Sequence, residues 1–191
     1  MTAELTVRPL GADTWEAFAD LAEHSDAFPS GCWCIGFHPE GVAKGDGWVA
    51  TNRARKQARV FAGDAHAALV FSGDRCVGWC QFGPPDELPR IKNRREYEAA
   101  LAPLPDWRIA CCFTAKGHRR QGVAEAALVG ALDLIARLGG GVVEGYPEPV
   151  EAVPAGFLYH GALSTYEQLG FTRDRLIGKH RWVVRTHIEP R

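Results

Sequence analysis

The chain has 191 residues, of which 46% are hydrophobic and 24% are charged, and its formal net charge is −1. This length and composition predict one globular domain over residues 1–191, and the lack of a basic excess argues against a sequence-independent nucleic-acid binder. No apolar run approaches the roughly 18 residues that span a bilayer, and the N-terminus lacks the pattern of a signal peptide. We therefore expect a cytoplasmic monomer or homodimer that binds neither membrane nor nucleic acid.

The first half of the chain combines short periodic segments with one long loop. Alternation predicts a strand over residues 5–10, and apolar residues at helical spacing predict a helix over residues 12–26. Residues 28–47 are punctuated by Gly and Pro and are predicted to form a loop, of a length that is commonly functional. A basic helix at 48–63 and two apolar strands at 66–83 complete this half, with a hairpin signal at Ser72-Gly73-Asp74.

The second half centres on a strand over residues 107–115 that is apolar on both faces, so we expect it inside a sheet. A long amphipathic helix is predicted over residues 122–138 and ends at three consecutive glycines. The other predicted elements are a proline-bracketed insertion with a short helix, a strand, a short helix and a closing strand pair, at residues 84–105, 142–147, 161–170 and 175–188. This order predicts an α/β fold with a mixed sheet.

A basic stretch, KGHRRQGVAEAAL at residues 116–128, lies between the predicted central strand and the long helix. The N–H groups at the start of a helix are unpaired and carry the positive end of its dipole, so they attract phosphate. Arg119 and Arg120 add charge, and Gly122 lets a ligand approach the backbone closely. Neither a Walker loop nor a GxGxxG dinucleotide fingerprint is present in the sequence.

This stretch resembles the pyrophosphate loop of the GNAT superfamily (Gcn5-related N-acetyltransferases), whose pattern is Arg/Gln-x-x-Gly-x-Gly/Ala. Residues 119–124 match every defined position, and Tyr166, Gly170 and Phe171 resemble the family's Tyr-x-x-x-Gly-Phe helix end. With Cys-Trp-Cys at 32–34 and Gly-Trp-Cys at 78–80, the chain looks like an uncharacterised branch, for which the resemblance supplies no acceptor. It implies a GNAT-like, mixed, mostly antiparallel twisted sheet flanked by helices.

The resemblance also implies acetyl-CoA as co-substrate. Its pantetheine arm is expected along the central strand, beside a bulge, and its pyrophosphate on backbone N–H groups at the start of the long helix. A backbone N–H near Phe113 is expected to stabilise the tetrahedral oxyanion. The implied cofactor-binding residues are Cys112, Phe113 and Thr114 for the arm and Arg119, Arg120, Gln121, Gly122, Val123 and Ala124 for the pyrophosphate.

Two residues are candidates for proton transfer. By resemblance Tyr166 protonates the departing thiolate, the alternative being a core aromatic side chain. Glu144, on the strand expected to flank the acetyl group, is the candidate base for the amine, the alternative being an exposed strand carboxylate. A covalent route through Cys111 or Cys112 is disfavoured, because neither has an activating base nearby in sequence.

The six cysteines are expected to be reduced thiols. Cys32, Cys34, Cys80 and His38 carry zinc-binding groups, but their spacing is poor for a tetrahedral site, so no metal is expected. Trp33 and Trp79 either shape an acceptor pocket or pack in the core.

The resemblance therefore implies an N-acetyltransferase that moves an acetyl group from acetyl-CoA to a primary amine of a small molecule, by direct attack in a ternary complex. The alternatives are acetylation of a protein N-terminus or lysine, and a non-catalytic acyl-CoA-binding module. The loop at 28–47 and the insertion at 84–105 favour a covered pocket and a small acceptor.

Overall fold

The computed structural model describes residues 4–24, 31–100, 103–154 and 158–191. Seven strands form one sheet in the order β1-β2-β3-β4-β5-β7-β6, and every neighbouring pair is antiparallel except β4 and β5. The predicted mixed, mostly antiparallel sheet is thus confirmed, with β4 at its centre. The strands are β1 Leu5–Pro9, β2 His66–Ser72, β3 Arg75–Gly83, β4 Trp107–Thr114, β5 Gly141–Gly145, β6 Thr172–Ile177 and β7 Arg181–Ile188.

Among the described residues, five helices flank the sheet: α1 Trp15–Glu23, α2 Trp48–Ala62, α3 Arg94–Ala99, α4 Val123–Arg137 and α5 Leu163–Gln168. Each predicted helix is present, with differences at the ends. The predicted helix at 161–170 is shorter because Gly161 and Gly170 adopt φ of +86° and +85°, outside the helical region. The predicted end of α1 at 25–26, the start of the loop at 28–30 and residues 101–102 of the insertion lie outside the described residues. No described helix is long and apolar enough to cross a bilayer.

Helices α4 and α1 pack on opposite faces of the sheet. Val123, the first residue of α4, lies against Gly78 of β3, where an added Cβ would come within 2.6 Å of its side chain. Phe18 of α1 contacts the neighbouring Trp79, with ring centroids 5.2 Å apart. Because successive strand residues point to opposite faces, these two contacts assign the helices to the two faces. The packing brings the start of α4 to the edge of β4.

Strands β4 and β5 separate along their length. They pair in parallel only from residues 107–109 to residues 143–145, while β4 continues beside β3 to Thr114. Past the residues that pair with β5, a later segment of the chain lies against β4: the Cys112 N–H donates to the Tyr159 carbonyl at 2.6 Å. The separation opens a cleft beside the second half of β4.

Candidate active site

A cavity of about 750 Å³ occupies this cleft. Its walls come from the loop before α2, the second half of β4, the start of α4 and the segment before and within α5. Eight of the nine predicted cofactor-binding residues line it: Cys112, Phe113, Thr114, Arg119, Arg120, Gly122, Val123 and Ala124. The structure therefore brings the two predicted parts of the cofactor site, on β4 and α4, to one cavity.

The loop into α4 has the geometry of an anion site. Gly122 is the N-cap of α4 with φ +79°, and Arg120 also adopts a left-handed conformation, with φ +60°. No described side chain caps the helix, so its first N–H groups are left for a ligand. Gln121 is the ninth predicted residue, and it differs: its side chain turns back to donate to the Gly117 carbonyl at 2.8 Å. Its side chain stabilises the loop rather than lining the cavity.

The backbone of β4 determines which donors face the cleft. Cys112 donates away from β3, to Tyr159, whereas Ala115 donates to the Val77 carbonyl of β3 at 2.8 Å. Since N–H groups alternate along a strand, that of Phe113 points toward β3 and that of Thr114 toward the cleft. Of the N–H groups near Phe113, where the oxyanion donor was predicted, those of Cys112 and Thr114 thus face the cleft and that of Phe113 does not. The bulge lies at Ala110, where the β3–β4 register shifts.

A buried polar network holds the loop that forms one wall. Asn52 of α2 accepts from the Ala43 N–H at 2.8 Å and donates to the Gly31 carbonyl at 3.1 Å. On β3, Gln81 donates to the Cys34 carbonyl at 3.0 Å. These bonds attach the loop to a helix and a strand, so that the wall has a defined position.

Two fully buried histidines are held neutral. Burial, followed by the charge of Lys56, lowers the pKa of His38 to about 2, and the Lys56 Nζ lies 3.1 Å from its Nε2. Burial, followed by the charges of Arg181 and Lys92, lowers the pKa of His160 well below its ordinary value. The folded protein therefore binds these two protons less readily than the unfolded chain does.

We expect the free energy of unfolding to fall as the pH decreases below about 6.5, because protons then bind the unfolded chain preferentially. Each histidine contributes a slope of about 1.4 kcal/mol per pH unit until its folded-state pKa is reached. Urea titrations at several pH values between 7 and 5 give the free energy of unfolding at each pH. Its slope against pH should be smaller in His38→Gln and in His160→Gln than in the wild type. His24→Gln, at an exposed histidine, is the control and should keep the slope of the wild type. An equal slope in all four proteins would contradict the neutral, buried state of these rings.

The cysteines form two contacts on opposite faces of the sheet. The Cys34 and Cys111 sulfurs lie 3.2 Å apart, and the Cys80 and Cys112 sulfurs 3.5 Å apart. Hydrogen bonding to the partner thiol raises the pKa of Cys34 and of Cys80 well above its ordinary value. Protonated thiols are poor nucleophiles, so Cys34 and Cys80 are not candidate nucleophiles. The disfavour of a covalent route through Cys111 or Cys112 stays a prediction.

The four residues weighed as zinc ligands do not converge. Cys80 lies on the sheet face opposite Cys34, and the His38 Nε2 contacts Lys56 and Gln81 instead. Among the described residues, no group of three or more His, Cys, Asp or Glu side chains is placed to hold a metal ion. The expectation of a protein without zinc stays a prediction, which elemental analysis can test.

The two tryptophans of these segments have different roles. Trp33 stacks on Trp15 at 5.9 Å between ring centroids and is a core residue. Trp79 lines the cavity, stacks on Phe113 at 4.5 Å and donates its Nε1–H to the Cys34 sulfur at 3.0 Å. Packing therefore describes Trp33, whereas Trp79 both packs in the core and forms part of the cavity wall.

Glu144 has no exposed surface, so its description as an exposed strand carboxylate is wrong. One carboxylate oxygen accepts from the Tyr146 hydroxyl at 2.7 Å and the other from the Arg185 Nε at 2.8 Å. The cavity wall, as the described residues define it, does not include Glu144. Its two oxygens are thus bound to Tyr146, just after β5, and to Arg185 on β7, away from the cavity.

Tyr166 is also fully buried and lies behind the cavity wall. Its hydroxyl donates to the His160 carbonyl at 3.0 Å, and its ring contacts Phe171 at 5.0 Å. Burial, followed by the neighbouring Cys112 and Cys80 thiols, raises its pKa well above the ordinary value. The hydroxyl therefore keeps its proton at neutral pH and lies near Cys112, which does line the cavity.

The ring of Tyr166 is enclosed by two glycines. A Cβ on Gly145 would lie 2.3 Å from its Cε1, and a Cβ on Gly161 2.9 Å from its Cε2. We expect Gly145→Ala to destabilise the protein by about 1–3 kcal/mol, the usual cost of overpacking, measured as a lower urea midpoint. Tyr166→Leu should suppress this cost in the double variant, since it removes the ring. Additive losses would contradict the close contact.

Several residues that line the cavity were not singled out from the sequence. Phe37 and Tyr159 bring aromatic rings 6.4 Å apart, and Arg90 and Lys92 bring cationic side chains from the insertion. The only sequence signal for them was the presence of two long irregular segments. The local sequence does not indicate which side chains of such segments face the cleft.

Solved acetyltransferases share this fold. A protein from Desulfovibrio desulfuricans, described as a GNAT-family acetyltransferase, is 14% identical, with a TM-score of 0.56 over 97% of this chain and 99% of that one. A mosquito arylalkylamine N-acetyltransferase-like protein, 5b, is 10% identical, with a TM-score of 0.56 over 96% and 100% of the two chains. NAA60 of Arabidopsis thaliana, solved with acetyl-CoA, is 13% identical, with a TM-score of 0.53 over 97% and 100%.

The chain therefore has the GNAT fold, as the sequence predicted. No protein-family model matches it, and no curated protein is significantly similar to it in sequence. At these identities the likeness concerns the fold, and the chemistry has to be argued from the cavity.

Proposed function

We propose that the protein is an acetyl-CoA-dependent N-acetyltransferase acting on a primary amine of a small molecule. The observation that supports this is that one cavity joins the N-terminal end of α4 to the open edge of β4. A cofactor with a pyrophosphate at one end of an extended arm matches such a shape. The acetyl-CoA bound to NAA60, which has the same fold, supports the same cofactor here.

The α4 loop would bind the pyrophosphate through the N–H groups at residues 122–124, with Arg119 and Arg120 adding charge. Thr114 would pair with the pantetheine arm through its N–H, which faces the cleft. The Cys112 N–H faces the same side and could stabilise the oxyanion once a bound acyl group replaces the Tyr159 carbonyl.

The reaction we propose is direct attack by the neutral amine on the thioester carbon. The C–N bond forms, the C–S bond breaks, and the thiolate leaves with a proton. The nitrogen loses one proton to solvent as it becomes an amide, and a proton from solvent restores the group that protonated the thiolate. Tyr166 is the proposed source of the thiolate's proton: its hydroxyl lies behind the wall beside Cys112, and it would have to turn from the His160 carbonyl toward the cavity to reach the thiolate. For Glu144 we propose a structural role in place of the predicted base, because both its oxygens are bound to Tyr146 and Arg185.

The test is acetyl transfer to a panel of amines, with the acetylated product detected by mass spectrometry. Thiol reagents are unsuitable because the protein has six free cysteines of its own. Product from small amines, and little from peptides with a free N-terminus or lysine, is the expected result. Acetylation of peptides alone would favour the protein-modifying alternative, and binding without product would favour an acyl-CoA-binding module.

A further inference from the structure

The charges on the cavity wall are almost all of one sign. Of the described residues that line it, Arg90, Lys92, Arg119 and Arg120 are cationic and Glu125 is the sole carboxylate. Glu125 lies in the first turn of α4, at the proposed phosphate end. An acceptor with several positive charges would therefore meet repulsion here, whereas an anionic group would be attracted.

The cations belong to two separate elements. Arg119 and Arg120 lie on the loop into α4, while Arg90 and Lys92 lie on the insertion before α3. Phosphates of the cofactor account for the first pair under the proposed function. Nothing in that function uses the second pair.

Arg90 and Lys92 are held in place without being neutralised. Arg90 donates its Nε and Nη2 to the Pro39 carbonyl, at 3.2 and 2.9 Å. The Lys92 Nζ lies 4.8 Å from the centre of the Tyr159 ring, a cation–π contact. Neither forms an ion pair with a carboxylate of the described chain. Two oriented cations are thus available to an anion in the cavity.

The surface beside these cations is apolar. Phe37, Ile91, Leu158 and Tyr159 line the same cavity, and Phe37 and Tyr159 are close enough for a flat apolar group to lie against both. This part of the wall is complementary to a hydrophobic or aromatic group on a bound ligand.

We propose that the acceptor is an amine that also carries a carboxylate and an apolar side chain, as an apolar α-amino acid does. This inference rests on the proposed function and names its substrate class. Lys92 and Arg90 bind the carboxylate, and Phe37 and Tyr159 contact the side chain. The cationic wall also lowers the pKa of the bound amine, since nearby positive charge disfavours the ammonium form. The ammonium proton is released to solvent, and the neutral amine attacks the thioester.

The test uses matched acceptors that differ in one group: phenylalanine, phenylalanine amide and phenethylamine, each with acetyl-CoA. We expect kcat/KM for phenylalanine to exceed that for the amide by about tenfold or more, the usual scale of a charge-assisted hydrogen bond. Lys92→Gln should reduce this preference several-fold, since Arg90 alone then faces the carboxylate, and Lys92→Glu should reduce it further. Lys179→Gln, on an exposed lysine outside the cavity, should leave it unchanged.

Several results would overturn the proposal. One is equal turnover of the acid and the amide; another is an equal loss for all three acceptors in Lys92→Gln. Weaker acetyl-CoA binding in Lys92→Gln, measured by calorimetry without acceptor, would assign the lysine to the cofactor instead. If no acceptor is turned over, binding of N-acetylphenylalanine in the presence of CoA decides: it should be tighter than that of N-acetylphenethylamine, and no difference would also overturn the proposal. Failure of the proposed function differs, since then either acetyl-CoA would not bind or it would bind without acetylation of any amine in the wider panel.

Discussion

The Gly122→Glu variant should bind acetyl-CoA at least about 100-fold more weakly than the wild type, a loss of about 2.7 kcal/mol or more. Gly122 is the N-cap of α4 and lines the cavity, and an added Cβ would meet no atom within 4 Å, so the new side chain would extend into open space there. A carboxylate at this point would repel the pyrophosphate and occupy its position. Calorimetric titration with acetyl-CoA measures the effect.

Gly117→Glu is the matched control. Gly117 has φ +88°, close to the +79° of Gly122, and its Cβ would also be in open space, but it does not line the cavity. The strain of a side chain at positive φ is therefore similar in both variants. Equal acetyl-CoA affinity in the two variants would contradict the placement of the pyrophosphate at α4.

The Tyr166→Phe variant should lower kcat by about 100-fold, the scale of general-acid catalysis, with little change in KM. The change removes one hydroxyl and keeps the buried ring, so the acetyl-CoA site should survive. It also leaves the His160 carbonyl without its donor, which should cost about 1–3 kcal/mol of stability. Turnover of a chemistry-limited acceptor and urea unfolding measure the two effects separately.

Tyr146→Phe provides the comparison for this variant. Tyr146 is equally buried, and its hydroxyl donates to Glu144, outside the cavity wall. It should lose stability by a similar amount and keep its kcat. If Tyr166→Phe behaves in the same way, Tyr166 is a structural residue, and the thiolate takes its proton from water.

The position of the proposed phosphate end, at a helix start beside the cavity, was predictable from the sequence because the pattern is local. Six consecutive residues, 119–124, carry the charge, the glycine and the helix start, and the strand before them was recognisable by its apolar run. Local patterns of this kind need no knowledge of distant contacts. Of the nine predicted residues, only Gln121 does not line the cavity, since its bond to Gly117 depends on the turn between them.

The surroundings of Glu144 could not be predicted in this way. Its side chain is opposite Arg185 because β5 pairs with β7, and that register depends on a strand some forty residues later in the chain. The burial of Tyr166 likewise depends on Gly145 and Gly161, which come from β5 and from the segment that returns against β4. Sequence motifs identified these residues, but tertiary contacts determine what they face.

The cysteine contacts were likewise predictable only in part. Alternation along β4 places Cys111 and Cys112 on opposite faces, which follows from the sequence once the strand is known. The contact of Cys111 with Cys34 required a loop in which Trp33 and Cys34 adopt φ of +52° and +49°. Non-glycine residues rarely adopt this conformation, so no sequence rule would have placed the second thiol there.

A crystal structure of the protein with acetyl-CoA tests the central claim most directly. The account predicts the pyrophosphate within hydrogen-bond distance of the N–H groups at residues 122–124, and the thioester beside β4 at Cys112. Acetyl-CoA bound outside the cavity between β4, α4 and the 158–165 segment would contradict it, as would a cofactor whose phosphates lie against Arg90 and Lys92.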